Sequence, residues 1–277
     1  MSGRRLPIGR LATLAAVGVA VWAFTQGASA PHWRTLREGL EFATLRGDRY
    51  CRGGSAAIAV LRVDPAKLVF RVRHYTREQD GEALNIVEWQ KRHGALAVFN
   101  AGQYYPDYSY MGLLVGAGQV ISRRAHPEFK AALVASRSPG AGSARVLDLD
   151  RDPIDLKKTR WSEVAQSFML FDAAGQQRVR KSERTANRTV VAEDKHGRLL
   201  VFTSEGAYTL SDFATLLAHS HLDLVNAMSM DGGFEAEMCV SAGDFRYASF
   251  GRWDSDQQPE APGATVPLPA VIEVVAP

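Results

Sequence analysis

Asn226-Ala227-Met228-Ser229-Met230-Asp231-Gly232-Gly233 is an apolar run that ends on a carboxylate and then two glycines. Leu224–Met230 reads as a buried β-strand. The Gly-Gly pair after it frees the backbone to turn with positive φ and lets another group approach the main chain. Two readings of this stretch stand side by side. It is a strand closed by an ordinary Asp-Gly turn, or it presents a carboxylate from a strand end into a cleft.

Working outward, Thr209 to Ser220 is the clearest helix upstream of that strand. Thr209 can cap it, and Leu210, Phe213, Ala214 and Leu217 share one face. Thr189–Ala192 and Leu199–Phe202 flank Asp194-Lys195-His196-Gly197 as a hairpin. A second helix of about ten residues is expected within 82–93, with Gly94 at its C-terminal end. Ala95–Phe99 is a short strand running into Asn100-Ala101-Gly102, and an aromatic loop, Gln103 to Tyr110, follows. Ala57–Val63 and Leu68–Val72 are expected to pair as a hairpin about Asp64-Pro65. Met111–Val115 and Gln119–Ile121 form another, and Ala131–Ala135, Phe168–Phe171 and Ala270–Val275 are further strands. Short helical segments are expected at Trp33–Phe42 and Trp161–Val164, and the charged stretch Asp148–Lys158 reads as solvated. The sum is a single α/β (α+β) domain over residues 31–277, a mixed, mostly antiparallel sheet flanked by helices.

The chain has 277 residues, 46% hydrophobic and 23% charged, an ordinary globular composition. Its net charge of +3 comes from Arg4, Arg5 and Arg10, because no acid precedes Glu38. Without residues 1–30 the body is formally neutral, which gives no electrostatic case for a nucleic-acid partner. Those three arginines, the apolar run Leu11–Phe24 and Ala28-Ser29-Ala30 read as an export signal. Pro31 would hinder cleavage there, so an uncleaved N-terminal anchor, with membrane attachment through residues 7–24, is the alternative. Either way the domain is expected outside the cytoplasm, periplasmic or extracellular. Cys51 and Cys239 are the only cysteines. One bridge between them and two separate buried thiols are equally compatible with such a compartment.

Three junctions carry polar groups at the edge of an apolar segment: Phe99-Asn100-Ala101-Gly102, Asn187-Arg188-Thr189 and Met230-Asp231-Gly232-Gly233. Their order resembles the phosphodiester glycosidase family over most of residues 57–277. The matching elements also include Gln103-Tyr104-Tyr105-Pro106-Asp107, Gly112-Leu113, the Leu210–Ala218 helix and Pro267-Leu268-Pro269-Ala270-Val271-Ile272. Within the family the chain is most similar to the smaller bacterial branch linked to exopolysaccharide biosynthesis. The family's Asp-Gly-Gly is commonly followed by Gly-Ser. Here Phe234-Glu235-Ala236-Glu237 follows, which removes a hydroxyl and adds carboxylates.

The resemblance implies hydrolysis of a sugar-1-phosphodiester in envelope or secreted polysaccharide; no cofactor is expected, and no metal, since the histidines have no metal-like spacing. It implies Arg188 on the phosphate, Asp231 as nucleophile or base toward water, and Glu235 or Glu237 as the second carboxylate. Asn100, Gly102, Tyr104, Tyr105, Asp107, Thr189, Gly232 and Gly233 are the expected substrate-binding residues. Tyr104, Tyr105 and Tyr108 could stack on a sugar face. Two other classes remain: a non-catalytic carbohydrate-binding or envelope-assembly protein on the same fold, and a phosphodiesterase using Asp231 and Asp107 on a divalent ion. No Cys/His cluster, phosphate loop or Gly-x-Ser-x-Gly elbow points elsewhere.

Overall fold

The computed structural model describes residues 31–277. The expected signal peptide or anchor at 1–30 lies outside them. In chain order the elements are β1 (Arg34–Arg37), β2 (Leu40–Arg46), β3 (Gly53–Val63), β4 (Val69–His74), α1 (Ile86–His93), β5 (Ala97–Asn100), β6 (Leu114–Gly116), β7 (Gln119–Ser122), β8 (Ala131–Ala135), β9 (Ala144–Asp148), β10 (Glu163–Phe171), β11 (Thr185–Ala186), β12 (Arg188–Asp194), β13 (Leu199–Thr209), α2 (Leu210–Ala218), β14 (Leu224–Gly232), β15 (Met238–Ala242), β16 (Phe245–Ser249) and β17 (Ala270–Val275).

These strands make two sheets. The larger runs β1-β2-β3-β13-β12-β14-β10-β6-β7, with β8, β9 and β11 attached to it; the smaller runs β16-β15-β5-β17-β4. Strand alternation explains how they stack. Leu61, Val201, Val191, Met228, Met230 and Met169 point from the large sheet into one core with Phe70, Phe99, Val240 and Ile272 of the small sheet. The intervening residues, among them Ile58, Val60, Phe202, Val190 and Ala227, point the other way and are covered by Phe213 and Leu217 of α2. On the far side of the small sheet, Val98, Cys239 and Val271 pack under Ile86 and Trp89 of α1. The order of layers is thus α2, large sheet, small sheet, α1.

The α/β expectation is corrected on two counts. Every strand pair among the described residues is antiparallel, so the sheet is not mixed. With only two short α-helices there, the domain is mainly β. Both helices fall where capping chemistry places them. Asn85 and Glu88 form a reciprocal capping box that starts α1, and Gly94 ends it at φ 60°. Thr209 accepts the Asp212 amide at 3.0 Å to start α2.

Three local expectations fail. Trp33–Phe42 is the β1–β2 hairpin, because Gly39 at φ +79° supplies its turn. Trp161–Val164 leads into β10, where the Glu163 carboxylate is buried and accepts the Val72 and Ala117 amides at 2.9 and 3.1 Å. The runs 57–63 and 68–72 do not pair with each other. β3 pairs with β2 and β13, whereas β4 pairs with β17, so the Asp64-Pro65 turn carries the chain from one sheet to the other. The candidate disulfide is absent as well: Cys51 and Cys239 are free thiols. Cys51 lies by the α2 core, its Sγ donating to the Gly53 carbonyl at 3.2 Å, and Cys239 lies under α1.

Candidate active site

The end of β14 is gripped from both sides. On one side the Asp231 amide donates to the Ala101 carbonyl at 3.0 Å, just beyond β5. Asn100 Nδ2 donates to the Asp231 carbonyl at 3.0 Å and the Ala101 carbonyl at 3.1 Å, while Asn100 Oδ1 accepts the Glu237 amide at 3.3 Å. On the other side Arg188 is the register partner of Gly232, and the Gly233 amide donates to the Asn187 carbonyl at 3.0 Å. The three junctions singled out in the sequence therefore meet where the small sheet crosses the large one.

Both glycines are required. A Cβ on Gly232 would come within 2.9 Å of the Asn187 carbonyl oxygen. Gly233 has φ +76°, and a Cβ there would stand 2.9 Å from Asp254 Oδ2. The turn that follows, a 3-10 segment over Gly233–Glu235, breaks the alternation expected of a strand. Glu235 and Glu237 consequently part company. Glu235 reaches the cleft, where its Oε1 accepts the Tyr104 hydroxyl at 3.1 Å. Glu237 is fully buried behind it and lacks a well-aligned hydrogen bond to either oxygen, the Val266 and Ile86 amides being its nearest donors.

The charges of the cleft are coupled. Burial, and next the nearby Glu235 carboxylate, push Asp231 up to about 7, against the Gly232 amide, Arg184 and Arg188. The Gly232 amide donates to Asp231 Oδ1 at 2.9 Å. Burial also raises Glu235, opposed by the Tyr104 hydroxyl. Arg188 is brought down to about 10, first by burial and then by Arg184. Its Nε donates to the Tyr208 carbonyl at 3.0 Å and its Nη2 to the Arg184 carbonyl at 3.1 Å. Nη1 stays over Gly232, and among the described residues no carboxylate comes within 4.0 Å of this guanidinium. A largely buried arginine with no counter-ion and one uncommitted N–H edge is a receptor for an anion.

Sequence reasoning missed two neighbours. Arg184 bonds Asp254 at 2.8 Å and Asp256 at 3.2 Å. Burial alone would push Asp254 up, but the Arg184 bond, the Asp256 amide and the charges of Arg184 and Arg188 together outweigh it and hold that carboxyl below the usual range. Asn187 fixes this loop, its Oδ1 accepting the Arg252 and Trp253 amides at 2.9 and 2.8 Å. Arg184 follows a charged stretch and Asp254 opens a Pro/Gly/Gln-rich one, so neither carried a strand or motif signal.

The other expected residues divide. Tyr104 lines the cleft and packs edge-on against Tyr108 at 5.7 Å. Asn100 and Gly102 are structural: the Asn100 amide is spent on backbone, and the Gly102 amide donates to the Tyr110 hydroxyl at 3.1 Å. Thr189 is fully buried in β12 opposite Thr203 and has no surface to offer a substrate. Asp107 is exposed and accepts both the amide and the hydroxyl of Ser109, at 2.9 and 2.6 Å. Tyr105 faces a separate crevice of about 210 Å³ with Arg124 and His126.

A model of the phosphodiester glycosidase family matches residues 93–274. No match was found among curated proteins. Among solved structures, the fold is similar to the catalytic domain of zebrafish N-acetylglucosamine-1-phosphodiester α-N-acetylglucosaminidase, auto-inhibited there by its pro-peptide. The identity is 16%, the TM-score 0.57, and the match covers 89% of this chain and 82% of the other. A hypothetical protein from Synechocystis is similar at 12% identity and TM-score 0.59, over 90% of this chain and 64% of that one. With about two thirds of its length matched by the family model, including α2, β14 and every residue of the cleft, this chain belongs to the phosphodiester glycosidase family.

Proposed function

We propose that this protein hydrolyses a glycosyl phosphodiester, releasing the sugar and a phosphomonoester. The observation that carries the proposal is Arg188, largely buried, without a counter-ion, and beside an Asp231 carboxyl that titrates near 7. Nη1 of Arg188 takes one phosphate oxygen of the substrate, and Arg184 faces the same anion across the loop. The sugar lies against Tyr104.

The roles of the carboxylates follow from their surroundings. Asp231, the more strongly raised, holds a proton in mildly acidic solution and is the acid. Glu235, bonded by Tyr104, is the base. Water attacks the anomeric carbon and gives its proton to Glu235. The bond from that carbon to the phosphate oxygen breaks, its electron pair stays on the oxygen, and Asp231 hydrogen-bonds or protonates it. This assignment moves Asp231 from nucleophile or base to acid relative to the sequence reading and drops Glu237 from the reacting groups.

The finer reading is that the substrate belongs to envelope or secreted polysaccharide. It draws support from the basic and apolar N-terminus and from the family resemblance of the Asn100–Asp107 loop. The test is hydrolysis of a panel of synthetic hexose-1-phosphate methyl esters by the wild type, Asp231→Asn and Arg188→Ala, with and without a chelator. Turnover that both substitutions abolish and the chelator leaves intact is expected. No wild-type turnover together with saturable glycan binding would instead assign a carbohydrate-binding or assembly role to the same cleft.

A further inference from the structure

A second concave site lies away from the cleft. It has a volume of about 420 Å³, and Arg145, Leu147, Ile154, Lys158, Arg160 and Trp161 are among the residues that line it. That volume falls within the roughly 300–1,000 Å³ of small-molecule sites. None of its residues lines the Asp231 cleft. The two are at opposite ends of β14: Asn226 Nδ2 donates to the Val146 carbonyl of β9 at 3.1 Å, five residues or roughly 16 Å along the strand from Asp231.

The walls are built rather than loose. The Asp155 carboxylate accepts the Lys157 amide at 2.9 Å, and its carbonyl accepts the Lys158 and Thr159 amides at 3.0 and 2.8 Å. Ile154 and Leu156 pack against Trp161 and Leu147 on the outer face of β8 and β9. The charges at the rim are unequal in kind. Arg145 is committed to Glu193 at 3.2 Å and Arg151 to Asp148 at 3.6 Å. Lys158 and Arg160 are exposed and have no acidic partner within 4.0 Å among the described residues. The Arg160 guanidinium lies over the Trp161 ring, 4.4 Å from its centroid, a cation–π contact that favours this position of the cation. Asp152 and Asp155 also line the crevice, but four cations outnumber them, and an apolar floor with the two uncommitted ones, Lys158 and Arg160, suits a sugar ring that carries a carboxylate or phosphate.

We propose that the crevice between β9 and the 150–161 loop binds an acidic saccharide unit, with Lys158 and Arg160 on its anionic group and Leu147 and Ile154 against its ring. In use it holds an acidic stretch of the same glycan whose phosphodiester enters the cleft. That role rests on the hydrolase reading, whereas the binding does not. The test is therefore a binding titration of the whole domain with trigalacturonate, with maltotriose as the neutral control. Trigalacturonate should bind saturably, and at least about tenfold more tightly than maltotriose. Lys158→Ala/Arg160→Ala should weaken it about tenfold or more, as expected for two lost charge-assisted contacts, with an unchanged melting temperature and unchanged turnover of the short phosphodiesters. Arg188→Ala should leave this binding intact. Equal binding by wild type and double variant, equal affinity for maltotriose, absence of saturable binding, or loss of binding in Arg188→Ala would each overturn the proposal. Absence of turnover with binding intact would overturn only the hydrolase reading.

Discussion

Replacing Glu237 by glutamine should stabilise the protein increasingly as pH rises from about 4.5 to 8. Burial pushes the Glu237 carboxyl from 4.5 up to about 8, with the Glu235 charge a smaller cause, while the Val266 and Ile86 amides pull the other way. The folded state therefore keeps this proton over a range in which the unfolded chain has given it up. For a carboxyl raised on folding, the contribution to stability is full below the unfolded value and is lost as pH climbs toward the folded one. One proton is worth 1.36 kcal/mol per pH unit. Between pH 4.5 and 7 the accumulated loss is thus about 3 kcal/mol.

Glutamine has nearly the same shape and no proton to lose, and the bond from the residue 237 amide to Asn100 is retained because it comes from the backbone. Urea unfolding of wild type and variant at intervals over that pH range measures the effect as a difference, in which most other titrating groups cancel. The difference should grow with a slope approaching one proton and level off above about 8. A flat difference would refute the burial argument. A difference that grew toward acid would show that Glu237 has an ion partner instead.

The remaining expectations follow from the cleft and the thiols. The activity of the wild type should fall at alkaline pH with an apparent pKa near 7, since Asp231 must keep its proton, and at acid pH as Glu235 is protonated; the kcat/KM profile of Glu235→Gln should lack the acid limb. Gly233→Ala should cost about 1–3 kcal/mol in a denaturant titration, because its φ of +76° strains any Cβ and Asp254 stands where that Cβ would go. Reductant should leave the melting temperature unchanged within about 1 °C, as Cys51 and Cys239 are free; a bridge worth about 2–4 kcal/mol would have shifted it by several degrees.

What could be read in the chain was what local chemistry decides. The β14 strand, the β12–β13 hairpin and the Thr209 cap each follow from alternation or capping within a few residues, and all three stand in the structure. Partner choice is a different matter. β3 and β4 are adjacent apolar runs with a proline turn between them, yet β3 is claimed by β13 over Gly53–Val63 and β4 by β17. Nothing within residues 57–72 encodes those distant edges. The same limit hid Arg184 and Asp254, which reach the site from irregular segments tied down by the Asn187 side chain.

The departure after Gly233 can now be placed in three dimensions. Phe234 is buried, and Gly251 comes so close that a Cβ on it would sit 2.6 Å from the Phe234 carbonyl carbon and 2.1 Å from the Gly233 oxygen. The backbone of the 3-10 turn is thus packed against Gly251, and the turn swings Glu235 forward to Tyr104 while its neighbour but one, Glu237, is carried into the interior. A continuous strand would have put both carboxylates on one face, where two like charges beside Asp231 would have raised all three further. The turn separates them, leaving Asp231 and Glu235 beside Arg188 and the Arg184–Asp254 pair. In that setting Asp231 is raised to about 7 by burial and then by the Glu235 charge, the difference in environment on which the proposed acid and base roles rest.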